Sequence, residues 1–389
     1  MRNLQRSSAA LSCFGYNLLR SIEFCCAWLP AVAACDGKMA MGREIGAYAR
    51  MLESIERRLS ELAGGKGWHG RAEDEEFFSA LAATAHEDDA ILAAAKALRA
   101  RLSVLLGQLL HELRNSPHAT IDEPTGLLLQ SATACLGDAG ADAPFDADAV
   151  YVAYRSDEIL PPLVARPARE SRLQLRTEPG GNWAEWIHSP EGRLDIIHEI
   201  FIEIEIPATE VCAMNIVLFR DAPLKFKLDM ARQVWDEARH AFVALARYQE
   251  LGGELGAKRY SENLWNHWSQ GDDVVDRLCI QQVVQEGNAL DSVSNLANVF
   301  RKAGDVPTAD MFMFFAADEE LHTRFGNDWA LAFLGGDKAV YMQRVEAAAE
   351  SIGALLPGRR PVNVPSRLRG GFPHDVVEDL VRRQAQRGA

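Results

Sequence analysis

The feature that most constrains this 389-residue chain is a pattern of carboxylate and imidazole that occurs twice. Asp236-Glu237-Ala238-Arg239-His240 and Asp318-Glu319-Glu320-Leu321-His322 each hold a Glu-x-x-His pair preceded by aspartate. Residues i and i+3 share one face of a helix, so the carboxylate and imidazole of each pair point to the same place. Upstream, Glu205-Ile-Pro-Ala208 and Glu286-Gly-Asn-Ala289 both read Glu-x-x-Ala and stand 32 and 33 residues before the paired glutamates. The midpoints fall at the turn signals Arg220–Pro223 and Gly304–Pro307, so closing each hairpin sets its single glutamate opposite its Glu-x-x-His. The hairpins repeat at an offset of 81 to 82 residues.

Two such hairpins define a helical bundle with a dinuclear metal site, in which two helices give one Glu each and two give Glu-x-x-His. The expected metal and catalytic residues are Glu205, Glu237, His240, Glu286, Glu319 and His322. Four carboxylates and two neutral imidazoles offset most of the charge of two divalent cations. They suit iron better than a thiolate-seeking metal, with manganese or a mixed manganese–iron pair left open. Each preceding aspartate is placed to orient a ligand histidine through its other ring nitrogen, Asp236 serving His322 and Asp318 serving His240. Glu210 and Asp291 also match across the repeat, five residues after the single glutamates. Five residues turn about 140° around an ideal helix, which points them away. Pro207 and Gly287-Asn288 lie within those windows and could bulge the helix, so both acids stay open as supporting groups or added ligands. Trp235, Phe242, Phe312, Phe314, Phe315 and Phe325 offer an aromatic lining or plain core.

The rest of the chain reads as helix. Apolar residues at three- and four-residue spacing predict helices over 42–62, stopping at Gly64-Gly65, over 73–114, ending near Pro117, and over 123–136. Six prolines between Pro144 and Pro190 make the following stretch a connector, with a short strand over 150–154 as an option. Ser189-Pro190-Glu191 combines a capping side chain, a first-turn proline and an acidic first turn. From there long helices are expected over 190–219, 222–251, 273–303, 306–334 and 337–355. The expected parts are an extension or targeting segment (1–41), a helical region (42–140), a connector (141–188), the metal-binding bundle (189–335) and a C-terminal helix and tail (336–389).

The composition is 48% hydrophobic and 25% charged, with a formal charge of −14. That acidity argues against a nucleic-acid partner. No apolar run reaches the ~18 residues of a membrane span. Seven cysteines without Cys-x-x-Cys spacing suggest neither a disulfide framework nor a zinc site, and point to a reducing, cytoplasmic setting. The apolar run Phe24 to Cys35 after Arg2, Arg6 and Arg20 keeps one alternative, an exported lipoprotein processed at Cys35.

The order Glu, Glu-x-x-His, Glu, Glu-x-x-His resembles the ferritin-like superfamily of di-iron carboxylate proteins. More closely, residues 189–372 resemble a bacterial ferritin-like family of unknown function. The matching segments are Ser189 to Arg193, Glu205 to Glu210, Asp221 to Pro223, Asp236 to His240, Glu286 to Asp291, Ala303 to Asp305, Asp318 to His322 and Arg369 to Phe372; Pro207 departs from that pattern. The resemblance implies an all-α fold, a ferritin-like four-helix bundle with an additional N-terminal helical region, and two iron ions at the six residues above. It supplies no reaction. The first functional expectation is a di-iron oxidase or monooxygenase using dioxygen on a small organic substrate. The chain carries no flavin, NAD or iron–sulfur fingerprint, so electrons come from a separate partner or from the substrate. The alternatives are ferroxidase, iron-handling or peroxide-scavenging activity, and a scaffold with a structural metal. A homodimer is left open.

Overall fold

The computed structural model describes residues 2–62, 67–116, 119–137, 145, 146, 149, 151–177, 180 and 183–388. Gly64-Gly65, Pro117, Pro144, Val150 and Pro179, which served above as boundary signals, lie outside those residues. The described chain is predominantly helical. In order it forms α1 (Arg2–Trp28), α2 (Cys35–Glu61), α3 (Ala72–Ala82), α4 (Asp88–Asn115), α5 (Glu123–Leu136), α6 (Trp183–Trp186), α7 (Pro190–Glu199), α8 (Ile206–Leu218), α9 (Leu224–Glu250), α10 (Asn263–Trp268), α11 (Val274–Leu278), α12 (Glu286–Lys302), α13 (Val306–Phe333), α14 (Lys338–Ser351), α15 (Val364–Arg369) and α16 (His374–Gly388). Strands β1 (His69–Arg71) and β2 (Tyr151–Ala153) pair antiparallel. No helix among the described residues is long and apolar enough to cross a membrane.

The chain divides into two compact units. The first comprises Met1–Glu170 and Ile216–Trp235, with α1 packed on α2 and α4. The sequence alone reads residues 1–41 as an extension or targeting segment, whereas Leu11, Phe14, Leu18, Phe24 and Trp28 are among the most buried side chains of this unit. The helix expected over 73–114 is interrupted at Ala83–Glu87, where α3 ends and α4 starts again. Periodicity alone hid this break because apolar residues resume in phase at Ile91.

The first unit also buries a charged cluster. The Glu23 carboxylate is fully buried and accepts from Arg20 (2.9 Å), Arg220 (2.8 Å), Lys227 (3.3 Å) and the Tyr154 hydroxyl (2.5 Å). Burial alone would push this carboxyl up, but Lys227, Arg220 and Arg20 hold it below the usual range.

The second unit comprises Ser171–Asn215 and Asp236–Ala389. The start signals at residue 189 take effect: the Ser189 hydroxyl accepts from the Gly192 N–H at 3.0 Å and caps α7. Two π-helical turns, Ile200–Glu205 and Cys279–Gln285, interrupt the helices that α7–α8 and α11–α12 would otherwise form. The Ile206 N–H reaches back five residues to the Phe201 carbonyl, and the Glu286 N–H to that of Gln281. Pro207 falls in the first turn of α8, where its missing N–H and its ring meet the wider turn rather than a regular one.

Gly326 of α13 lies against the second π turn, where a β-carbon would meet Gln282 Cβ at 2.3 Å. Gly326→Ala is therefore expected to cost about 1–3 kcal/mol by overpacking, read as a lower midpoint in urea unfolding.

Candidate metal centre

Six side chains converge in the second unit, all buried: Glu205, Glu237, His240, Glu286, Glu319 and His322. They form two groups of four, within each of which the ligand-type atoms lie within 4.8 Å of one another. One group is Glu205, Glu237, His240 and Glu319; the other is Glu237, Glu286, Glu319 and His322. Glu237 and Glu319 belong to both. Each shared carboxylate turns one oxygen toward each histidine. Glu237 Oε2 lies 3.3 Å from His240 Nδ1, and its Oε1 lies 3.2 Å from His322 Nδ1. Glu319 Oε1 lies 3.6 Å from His240 Nδ1, and its Oε2 lies 3.1 Å from His322 Nδ1.

The outer nitrogens cross between the repeats. His240 Nε2 lies 3.0 Å from Asp318 Oδ2, and His322 Nε2 lies 3.5 Å from Asp236 Oδ2. An ionised carboxylate only accepts, so each Nε2 carries the proton and each Nδ1 is left to face the cluster. Arg239 ties the two aspartates together, donating to Asp236 Oδ1 at 2.9 Å and Asp318 Oδ2 at 2.6 Å. The repeat itself concealed this residue, because Leu321 stands at the corresponding place in the second motif. Asp318→Asn and Asp236→Asn are each expected to lower metal affinity about 10- to 100-fold, measured by competition with a chelator.

The donor set fits a cation pair. His240 Nδ1 is buried and forms no hydrogen bond, although three carboxylates approach within 3.3–3.6 Å. Without a cation the carboxylates compete for protons. Burial, supported by the charges of Glu237 and Glu319 and opposed by His240, pushes Glu205 up to about 8. Burial together with the charges of Glu319 and Glu237 raises Glu286. Burial works against protonating the two histidines, but Asp318, Glu205 and Glu237 hold His240 above its ordinary range, and Glu237, Glu319 and Asp236 do the same for His322. A bound cation must displace these protons, so metal affinity is expected to fall as pH is lowered from 8 to 6, as a competition titration would show.

Glu210 and Asp291 belong to neither group. The π turns end at or just before the ligand glutamates, so the fifth residue after each follows ordinary helical rotation, about 140° round from the glutamate. Asp291 instead accepts from Arg367 Nη2 at 2.7 Å and from the Asn363 N–H at 2.8 Å. Of the aromatic residues, Phe315 stacks on His240 with ring centroids 4.1 Å apart, and Phe312 packs edge-on against Phe315. Phe242 and Phe314 do not line the centre; they are 56% and 71% exposed. Trp235 packs on Gly46 and Arg50 in the first unit. His198 is buried against Tyr248, and burial lowers its pKa to about 4, leaving a neutral imidazole outside both groups.

The π turns also place a residue that periodicity did not single out. Gln281 precedes Glu286 by five residues and donates to its Oε1 at 2.9 Å, a spacing that a π turn brings to one face.

Residues 141–378 match the family described as "Protein of unknown function (DUF455)", which covers more than half of the chain. The chain belongs to that family. No curated protein and no solved structure matches it.

Proposed function

We propose that this chain is a ferritin-like di-iron protein that uses dioxygen to oxidise a small organic substrate. The observation that carries the reading is the pair of buried four-residue groups joined by Glu237 and Glu319. The four ligand-bearing helical segments, α7–α8, α9, α11–α12 and α13, are read as a ferritin-like four-helix bundle. The donor set is hard oxygen with one nitrogen at each position, which suits iron or manganese. Two iron ions held by these six residues would supply the electron transfer to dioxygen that organic side chains cannot.

The chain's own residues set the conditions. Glu237 and Glu319 are shared between the two positions, while Glu205 and Glu286 each serve one. Asp318 and Asp236 fix the histidine tautomers, and Phe315 covers His240 against water. As a monooxygenase the protein would convert R–H, dioxygen, two electrons and two protons into R–OH and water. A separate reductase would supply the electrons.

The test is anaerobic loading with ferrous iron, then exposure to oxygen. Two irons per chain and oxygen uptake that rises with added substrate are expected. Accumulation of many irons per chain would move the assignment to iron handling. No bound metal at all would end both readings.

A further inference from the structure

The two repeats do not build equivalent halves, and their differences fall on one side of the centre. Gln281, five residues before Glu286, donates its amide N–H to Glu286 Oε1 at 2.9 Å. The repeat offset of 81 residues puts Ile200 at the corresponding place before Glu205, and a hydrocarbon side chain has no N–H to give. Both residues stand in the π turns. A buried carboxylate that gives a metal one oxygen leaves the other as an acceptor, which is costly unless a donor meets it. Gln281 meets that need for Glu286. Ile200 cannot meet it for Glu205, so spending both oxygens on the metal is the better arrangement there.

The second difference is access. A cleft of about 250 Å³ in the second unit has Glu286 in its wall, and none of the other five clustered side chains. Ala289, one helical turn on from Glu286, and Asn263 also line it, with Ile204 and Leu264 as apolar wall. The third difference is cover. His240, which belongs with Glu205, lies under the Phe315 ring at 4.1 Å between centroids, and Phe312 backs that ring edge-on.

Resting on the di-metal reading above, we infer that the position held by Glu286 and His322 is the one that accepts an external ligand of dioxygen's size. The ligand enters by this cleft, and Gln281 is the positioning residue that keeps the position open. Glu286 gives one oxygen while Gln281 holds the other, and Glu205 gives two. Glu237 and Glu319 serve both positions and each has one histidine, so the Glu286 position has one protein donor fewer than its neighbour. Removing the Gln281 N–H frees Glu286 Oε1 to become that donor.

The full chain is loaded anaerobically with ferrous iron and titrated with nitric oxide, a probe of dioxygen's size that binds ferrous iron. Mössbauer spectroscopy counts the irons that carry it, and metal content is measured on the same samples. Nitric oxide is expected on one of the two irons. Glu205→Ala, which keeps the Glu286 position, should retain that adduct. Gln281→Leu should bind nitric oxide at least tenfold more weakly while two irons per chain remain. Ala289→Phe and, independently, Asn263→Trp should slow its binding at least tenfold, again with two irons held. Nitric oxide on both irons of the wild type, or none in Glu205→Ala with one iron still bound, would overturn this inference and leave the di-metal reading standing. So would wild-type affinity in Gln281→Leu, or wild-type rates in both cleft variants. A wild-type chain that takes up no iron defeats the di-metal reading and this inference with it.

Discussion

Replacing either Glu237 or Glu319 with alanine is expected to abolish binding at both metal positions, whereas Glu205→Ala and Glu286→Ala each remove one. The asymmetry follows from the geometry: Glu237 and Glu319 belong to both four-residue groups, and the other two glutamates to one group each. Elemental analysis after anaerobic reconstitution should give close to zero metals per chain for the first two variants and close to one for the second two. The variants are expected to fold, because removing one carboxylate from a crowd of four relieves like-charge repulsion in the metal-free state. Equal loss in all four variants would show that the shared carboxylates have no special place. Unchanged metal content in Glu237→Ala and Glu319→Ala would dismiss the site altogether.

The largest effect on stability is expected from Glu23→Ala in the first unit. Glu23 is the common acceptor for Arg20, Arg220 and Lys227, and the variant leaves those three cations without their shared partner. Breaking a buried ion pair from one side costs about 3–5 kcal/mol, read here from the midpoint of chemical denaturation. The pH dependence has a definite sign. Because the folded-state pKa of Glu23 is depressed, its contribution is present above the unfolded carboxyl pKa of ~4.3 and is lost as pH falls through the folded value. Wild-type stability should therefore decline on acidification below that pH, and Glu23→Gln should flatten the decline. A variant with wild-type stability at pH 7 would show that solvent and Glu158, whose Oε2 lies 3.0 Å from Arg20 Nε, can replace Glu23.

Much of this was legible in the sequence, for physical reasons that differ from place to place. The start of α7 announced itself through a capping side chain with a first-turn proline, a local device that does not depend on the rest of the fold. The six clustered side chains were legible because i, i+3 spacing and hairpin closure are both properties of a helix. The π turns were not, since no residue type demands one, and so Gln281 went unseen. Arg239 was hidden because the second repeat does not repeat it. Arg367 was hidden because its partner Asp291 lies 76 residues away. The break between α3 and α4 left no mark in the apolar pattern, and the buried role of α1 depends on contacts across the first unit.

The crossed aspartates have one more consequence, and it concerns ancestry. Each hairpin carries its own Glu-x-x-His, yet the carboxylate that orients its histidine comes from the other hairpin. A single hairpin pairing with a second copy of itself would already have met both requirements, with every residue in its present role. Joining two copies into one polypeptide would then have needed no new contact at the centre. It would only have freed the halves to diverge around it, as Arg239 and Leu321 have done.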